Sequence, residues 1–562
     1  MLSEKELAWV KERYSSVYLN PLTPLSFLKR SELVFPKKTA VIYRDRSFTW
    51  KAFANRVYSL ANGLKNKGIQ KHERVAMISR NNNALLESFY GISMAGGVSV
   101  PLNYRLSDKD VAYALNHSES KALIFEHIYA ETIKGIQKDL RTLEFFIEID
   151  SPEENNGAPL GIPYEAFLNK SSSQPLDIPV MDENDMLSIV YTSGTTGLPK
   201  GCVHTHRGAY LNAMGELLAA RMHAESAYLW TLPMFHCQGW CFVWGVTAVG
   251  AKHVCLDAVR AEQICQLMTQ EKVTHMCGAP IVYTTIADYM EKNGLHFENT
   301  IRGFMGGAAP SPVNIQKAEN IGMDIHQVYG LTEVYGPHTL CEWHSEDWDD
   351  LPLAKRAQLK ARQGVPYATY TLVKVVDEDM NEVPWDGQTP GEIVMKGNNV
   401  MQWYFNEYDK TDEAFRGGWF HSGDAAIVHP DGYIEITDRL KDIIVTGGEN
   451  VSSVEVENII AEFPGVVDVA VISKPDEKWG EIVKAVVHME AGIEATAEAI
   501  IKWCRERLAG FKTPKEVEFG VVPRSATGKI QKHVLKQREK DLLAGVRPLT
   551  SPPLAGEARG RG

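Results

Sequence analysis

Eleven residues, 191–201 (YTSGTTGLPKG), constrain this chain more than any other stretch: three glycines, three threonines, a serine and a lysine. The preceding run MLSIVY has the apolar character of a buried strand, and CVHTH just beyond predicts a second. A loop of this composition between strands suits an anion. Glycine lets backbone N–H groups turn toward one centre, while Thr192, Ser193, Thr195 and Thr196 add hydroxyl donors. It is not the G-x-x-x-x-G-K-[ST] loop of P-loop NTPases, because Gly201 follows Lys200 where a hydroxyl residue is required.

The surrounding pattern is layered. Residues 49–66 have the spacing of an amphipathic helix, 74–78 that of a short buried strand, and 83–95 that of another helix. Such alternation predicts an α/β chain with parallel strands. From about Thr369 the texture changes to short strands and turns. Residues 425–429 and 433–437 predict a hairpin around Pro430-Asp431-Gly432. Beyond the charged crossing DRLKD, Ser452 and Glu455 predict a capping box on a helix reaching Phe463, followed by the strand VDVAVIS. We therefore expect a large N-terminal domain of layered sheets and helices at 1–438 and a small α+β C-terminal domain at 439–545. The Pro- and Gly-rich residues 546–562 read as a disordered tail or a cloning remnant.

Composition removes several function classes. A net charge of −12 over 562 residues argues against nucleic-acid binding, which needs a dense basic face. The eight cysteines form no C-x-x-C pair, as expected of reduced thiols in a cytoplasmic enzyme. His236, Cys237 and Cys241 have no second ligand pair nearby and read as packing or pocket residues rather than a metal site. Residues 226–251 contain no Asp, Glu, Lys or Arg, yet Pro233, His236, Gln238 and three glycines argue for a buried segment rather than a membrane span. The charged N-terminus lacks a signal peptide's apolar core, and the last residues are not a peroxisomal S-K-L address.

Six motifs occur in order. YTSGTTGLPKG is followed by GGAAP (306–310), VYGLTE (328–333), GWFHSGD (418–424), DRLKDIIVTGGENVSSVEVE (438–457) and PRSATGKIQK (523–532). Together they resemble the adenylate-forming superfamily, which includes acyl-CoA synthetases, peptide-synthetase adenylation domains and beetle luciferases. The pattern looks most like the medium-chain acyl-activating group, with an acyl-CoA synthetase-like fold and a mobile C-terminal domain.

The resemblance implies a reaction and its residues. MgATP activates a carboxylic acid to acyl-AMP and pyrophosphate, and CoA then takes the acyl group. Thr192, Ser193, Gly194, Thr195, Thr196, Gly197 and Lys200 would hold phosphates, with Gly307, Ala308, Ala309, Tyr329, Gly330 and Ile436 around the nucleotide. Thr332 would bond the α-phosphate, Glu333 would hold Mg²⁺, and Asp424 and Arg439 the ribose. Near Asp438 and Asp442, Arg439 reads equally as a structural ion pair. Lys529 would be the adenylation lysine, Lys441 the hinge, and Gly447 and Gly448 the CoA-tunnel segment. His236 would gate an acyl pocket lined by Trp240, Ala279, Gly307, Ala308, Val334, Tyr335 and Gly336.

Adenylation domains for amino acids resemble F-D-x-x-x-W where this chain has Phe235-His236 and Trp240. Without that acid, a buried substrate ammonium would be unpaired. A short- to medium-chain acid is expected, a hydroxy acid such as 4-hydroxybutyrate included. An acyl-AMP ligase loading a carrier-protein thiol, and an inactive nucleotide-binding scaffold, stay open as alternatives. Sequence also leaves the oligomeric state open, a homodimer included.

Overall fold

The computed structural model describes residues 3–151, 158–180, 182–192, 198–297, 299–308, 310–369, 371–446, 449–476, 478–493, 495–524 and 529–543. By packing, the chain divides into two units. One is built on Met1–Ser422 and Ala426–Ile436, the other on Gly423–Ala425, Thr437–Ser525 and Lys529–Gly562.

Among the described residues the larger unit carries a nine-stranded sheet. Its order is Val365–Pro366, Gly336–Leu340, Met323–Leu331, Ile301–Met305, His275–Gly278, Ala227–Trp230, Lys252–Cys255, Thr39–Tyr43 and Arg46–Thr49. The strands from Met323–Leu331 through Lys252–Cys255 pair in parallel, so their C-terminal ends share one edge. Loops leaving that edge are where open parallel sheets carry ligands. A second, seven-stranded sheet runs Ile162–Pro163, Phe145–Ile149, Ser120–Glu126, Arg74–Ile78, Val98–Pro101, Met186–Tyr191 and Gly201–Thr205.

Local chemistry explains the elements. The helix Trp50–Asn66 starts where the Thr49 hydroxyl accepts from Ala52 N at 3.2 Å. It buries Trp50, Phe53, Val57, Leu60 and Leu64, the stripe expected of a 3.6-residue period. The expected strand at 74–78 and the helix Asn83–Met94 also form. The uncharged run 226–251 becomes the strand Ala227–Trp230, a tight turn and the buried helix Phe242–Ala248. Among the described residues no helix is long and apolar enough to cross a membrane. The expected hairpin forms too. His429 N donates to Tyr433 O at 2.9 Å, and Gly432 takes the positive φ (+82°) that reversal requires.

In the smaller unit a sheet runs Glu449–Val451, Ile444–Thr446, Gly480–Met489 and Val466–Asp476, with Glu516–Phe519 parallel to Gly480–Met489. Ile444, Val456, Ile460, Val471, Val487 and Ile500 form its core. The helix Ser453–Ala461 ends short of Phe463. The Ser452 hydroxyl caps it by accepting from Glu455 N at 3.0 Å, but the Glu455 carboxylate goes to Lys512 at 2.7 Å. A charge-assisted tertiary contact has replaced the reciprocal half of the expected capping box.

Candidate active site

The strand Met186–Tyr191 runs antiparallel to Gly201–Thr205, with Tyr191 opposite Gly201, so the expected phosphate loop leaves and returns at one point. Its neck is closed by Thr192 N donating to Lys200 O at 2.9 Å and Lys200 N donating to Thr192 Oγ1 at 3.4 Å. Ser193, Gly194, Thr195, Thr196 and Gly197 lie outside the described residues.

Lys200 is half-buried, its ammonium 3.9 Å from the Tyr404 ring centroid. The Tyr404 hydroxyl donates to Glu333 Oε1 at 2.9 Å. Burial and the Glu333 carboxylate push the Tyr404 pKa far up, so this donor stays protonated. The predicted phosphate lysine and the predicted metal carboxylate thus flank one phenol that no motif announced. Tyr404 arrives because its segment pairs with the strand Gly201–Thr205: Phe405 N donates to Gly201 O at 2.7 Å, and Gln402 N to Val203 O at 2.9 Å. No spacing rule connects that register to the sequence.

Tyr329, Gly330, Thr332 and Glu333 sit at the C-terminal end of Met323–Leu331, which folds back antiparallel onto Gly336–Leu340. A Cβ on Gly330 would lie 1.7 Å from Gly336 O, so only glycine fits. Tyr329 is buried, and Thr332 is half-buried with its hydroxyl 3.7 Å from the donating Cys237 thiol. Gly307 (φ +80°) and the half-buried Ala308 follow Ile301–Met305 on the same edge. Ala309 lies outside the described residues. Ile436 is held by its N–H donating to Gln363 Oε1 at 2.6 Å.

Gly307 and Gly336, two of the residues expected to line an acyl pocket, lie against Trp240, as does Gly306. A Cβ built on Gly306 would lie 3.0 Å from the indole Cη2, one on Gly307 4.0 Å from Cζ2, and one on Gly336 3.2 Å from the Trp240 Cα. Ala279, buried, stands at the start of the helix Pro280–Asn293. Val334 and Tyr335 expose no surface. The Tyr335 ring stacks on His204 with centroids 4.1 Å apart.

What aims Trp240 is an unusual turn. Cys237, Gln238, Gly239, Trp240 and Cys241 all have φ between +46° and +63°. Left-handed backbone costs about 1–2 kcal/mol per L-residue, and such runs mark functional sites. Buried Gln238 offsets part of that cost. Its Oε1 accepts from the Tyr335 hydroxyl and from Trp244 Nε1 (3.2 Å), while its Nε2 donates to Ser99 Oγ at 3.0 Å. His236, half-buried, opens the turn: Trp240 N donates to its carbonyl at 3.4 Å. Among the described residues no three His, Cys, Asp or Glu side chains converge as a metal site, Cys237 and Cys241 included.

In the smaller unit Arg439 pairs with Asp424, Nε to Oδ1 at 2.6 Å, and Asp424 is only 2% exposed. The two expected ribose residues therefore meet. Of the other acids near Arg439, Asp438 accepts from Arg439 N at 2.7 Å and from Ser453 Oγ at 2.7 Å, and Asp442 pairs with Lys536 at 2.8 Å. Of the two lysines in PRSATGKIQK, Lys532 is tied to Glu457 at 2.8 Å, and Lys529 is half-buried. Lys441 is exposed, and Gly447 and Gly448 lie outside the described residues. As a ligand for a hard cation, Glu333 is one carboxylate at a strand end. That suits a metal that arrives with phosphate oxygens already bound.

Two family models match. The AMP-binding enzyme model covers residues 28–405, and the AMP-binding enzyme C-terminal domain model covers 455–529. The chain is 49% identical to 4-hydroxybutyrate--CoA ligase 2 of Metallosphaera sedula, over 92% of this chain and 95% of that protein. It is 40% identical to acetate--CoA ligase CCL3 of Humulus lupulus, over 93% of this chain and 95% of that one. Among solved structures, ATP-bound MatB from Rhodopseudomonas palustris superposes with a TM-score of 0.79 at 26% identity, covering 92% of this chain and 99% of that one. With the six motifs in order, the chain belongs to the AMP-binding enzyme family, as an AMP-forming acid–CoA ligase.

Proposed function

We propose that this ligase activates a short linear acid bearing a terminal hydroxyl, with 4-hydroxybutyrate as the reference substrate. The observation that carries this is the 49% identity, over 92% of the chain, with a ligase named for that acid. Relatives named for acetate, and for acetate and butyrate, are each 40% identical and support a short chain. So does the bulk of Trp240 against Gly306, Gly307 and Gly336.

In the first half-reaction a substrate carboxylate oxygen attacks the α-phosphorus of MgATP, and the bond to pyrophosphate breaks. In the second, CoA sulfur attacks the acyl carbon, the thiol loses its proton, and the bond to AMP breaks. The Thr192–Lys200 loop is assigned to the leaving phosphates, Thr332 to an α-phosphate oxygen, and Asp424 with Arg439 to the ribose. Glu333, oriented by the Tyr404 hydroxyl, is the residue suited to the magnesium that accompanies ATP and neutralises its phosphates. Lys529 brings an ammonium to the charge that builds between carboxylate and phosphate. Reorientation of the 439–545 domain about Lys441, with Gly447 and Gly448 serving the thiol, belongs to the same proposal. Eight free cysteines, seven of them buried, support a reducing cytoplasmic setting.

The test is a panel of acetate, butyrate, pentanoate, octanoate, benzoate and 4-hydroxybutyrate, each with MgATP and CoA, followed by AMP and acyl-CoA release. We expect the highest kcat/KM for 4-hydroxybutyrate. A maximum at octanoate or benzoate overturns the assignment.

A further inference from the structure

Lys200 and Glu333 carry opposite charges, both are half-buried, and one side chain stands between them. Tyr404, 2% exposed, presents its ring face to the Lys200 ammonium, 3.9 Å from the centroid, and its hydroxyl to Glu333 Oε1 at 2.9 Å. A lysine and a glutamate that touch the same phenol would ordinarily pair and cancel. Among the described residues these two form no ion pair, with each other or with a third group.

The phenol is fixed in that position by its own segment. Tyr404 N donates to Thr411 Oγ1 at 3.1 Å, Phe405 N to Gly201 O at 2.7 Å, and Val203 N to Trp403 O at 3.0 Å. The segment also grips the other partner, because Met401 N donates to Glu333 O at 2.7 Å. Residues 401–405 therefore tie the strand that follows Lys200 to the turn that carries Glu333. The ring packs between them in one cluster with Cys202, Tyr329 and Val334.

The two contacts do different work. A hydroxyl donating to one carboxylate oxygen sets the orientation of the carboxylate and leaves its charge in place. An aromatic face attracts an ammonium without supplying a counter-charge or taking its proton. Each group keeps its charge for a ligand that needs both signs at once, and a polyphosphate carrying a divalent cation is such a ligand.

We infer that Tyr404 is a positioning residue that holds Lys200 and Glu333 apart and aims both, its hydroxyl serving the metal and its ring serving the phosphates. This rests on the assignments of Lys200 to phosphate and Glu333 to magnesium above. It deepens them by giving one buried phenol two separable duties.

The experiment titrates the full-length enzyme with the non-hydrolysable analogue α,β-methylene-ATP by calorimetry, once with Mg²⁺ and once with EDTA. Wild type is compared with Tyr404→Phe, Tyr404→Leu and Glu333→Gln, and the ratio of Kd without metal to Kd with Mg²⁺ is read for each. We expect Tyr404→Phe, which keeps the ring, to shrink that ratio by about tenfold, as removal of a partner behind a metal ligand does. Tyr404→Leu also takes the ring from Lys200, and should bind the metal-free analogue about threefold more weakly than Tyr404→Phe does. A ratio intact in Tyr404→Phe but lost in Glu333→Gln overturns the inference and leaves the Glu333 assignment standing. Equal metal-free affinity in the Phe and Leu variants overturns it as well. A ratio intact in Glu333→Gln overturns the magnesium assignment and the inference with it.

Discussion

At the scale of single residues, tertiary contacts distinguish side chains that look equivalent in the sequence. In the motif PRSATGKIQK, Lys532 looks like any other surface lysine until it proves to be locked to Glu457. Gly330 looks like any glycine in VYGLTE until a Cβ there proves to overlap the Gly336 carbonyl. If Lys529 supplies the adenylation charge, Lys529→Ala should lower acid-dependent pyrophosphate release by about 100-fold or more, by analogy with removal of one oxyanion donor. Transfer to CoA from supplied acyl-AMP should fall far less. Parallel loss of the two half-reactions would show the role to be misassigned.

At the scale of elements, the left-handed turn at 237–241 is the most demanding feature. It is held by the Gln238 hydrogen bonds and by contact with buried rings. A Cβ on Gly239 would come within 2.3 Å of Trp230 Cζ3, and Trp230 is fully buried. Overpacking a rigid ring at a positive φ should make Gly239→Ala less stable by about 3 kcal/mol, read as a lower denaturant midpoint. An unchanged midpoint would mean that the turn rearranges freely. The helix at Ser453 teaches a related lesson. Its cap was legible from Ser452, but the fate of Glu455 depended on Lys512, a residue far along the chain.

At the scale of the molecule, burial sets the response to acid. Desolvation pushes His204 and His253 down to about 3, and His206, His275 and His338 down to about 4. These side chains are neutral when folded but take up a proton on unfolding below about pH 6.5. The unfolded state therefore binds more protons, and stability falls as pH drops from about 6.5 toward 4. At pH 5 each contributes about 2 kcal/mol of loss. Denaturant midpoints measured from pH 7.5 to 5 should fall steadily, and a flat profile would contradict the burial of these rings. The two-step chemistry makes a separate demand. Lys441→Pro, which stiffens the proposed hinge, should leave acyl-AMP formation intact and slow acyl-CoA production. Unchanged turnover would place the hinge elsewhere.

The paired strands flanking residues 192–200, the hairpin at 425–437, the strand at 74–78 and the Ser452 cap were legible in the linear order of residues. Periodicity, turn chemistry and capping act between neighbours, so they are written locally. The expected ribose pair was legible as two separate motifs, but their 2.6 Å contact was not. Nor was the bridge from Lys200 through Tyr404 to Glu333. Those meetings depend on strand register and sheet order, which bring together side chains far apart in the chain, and on burial, which decides the charge each one carries.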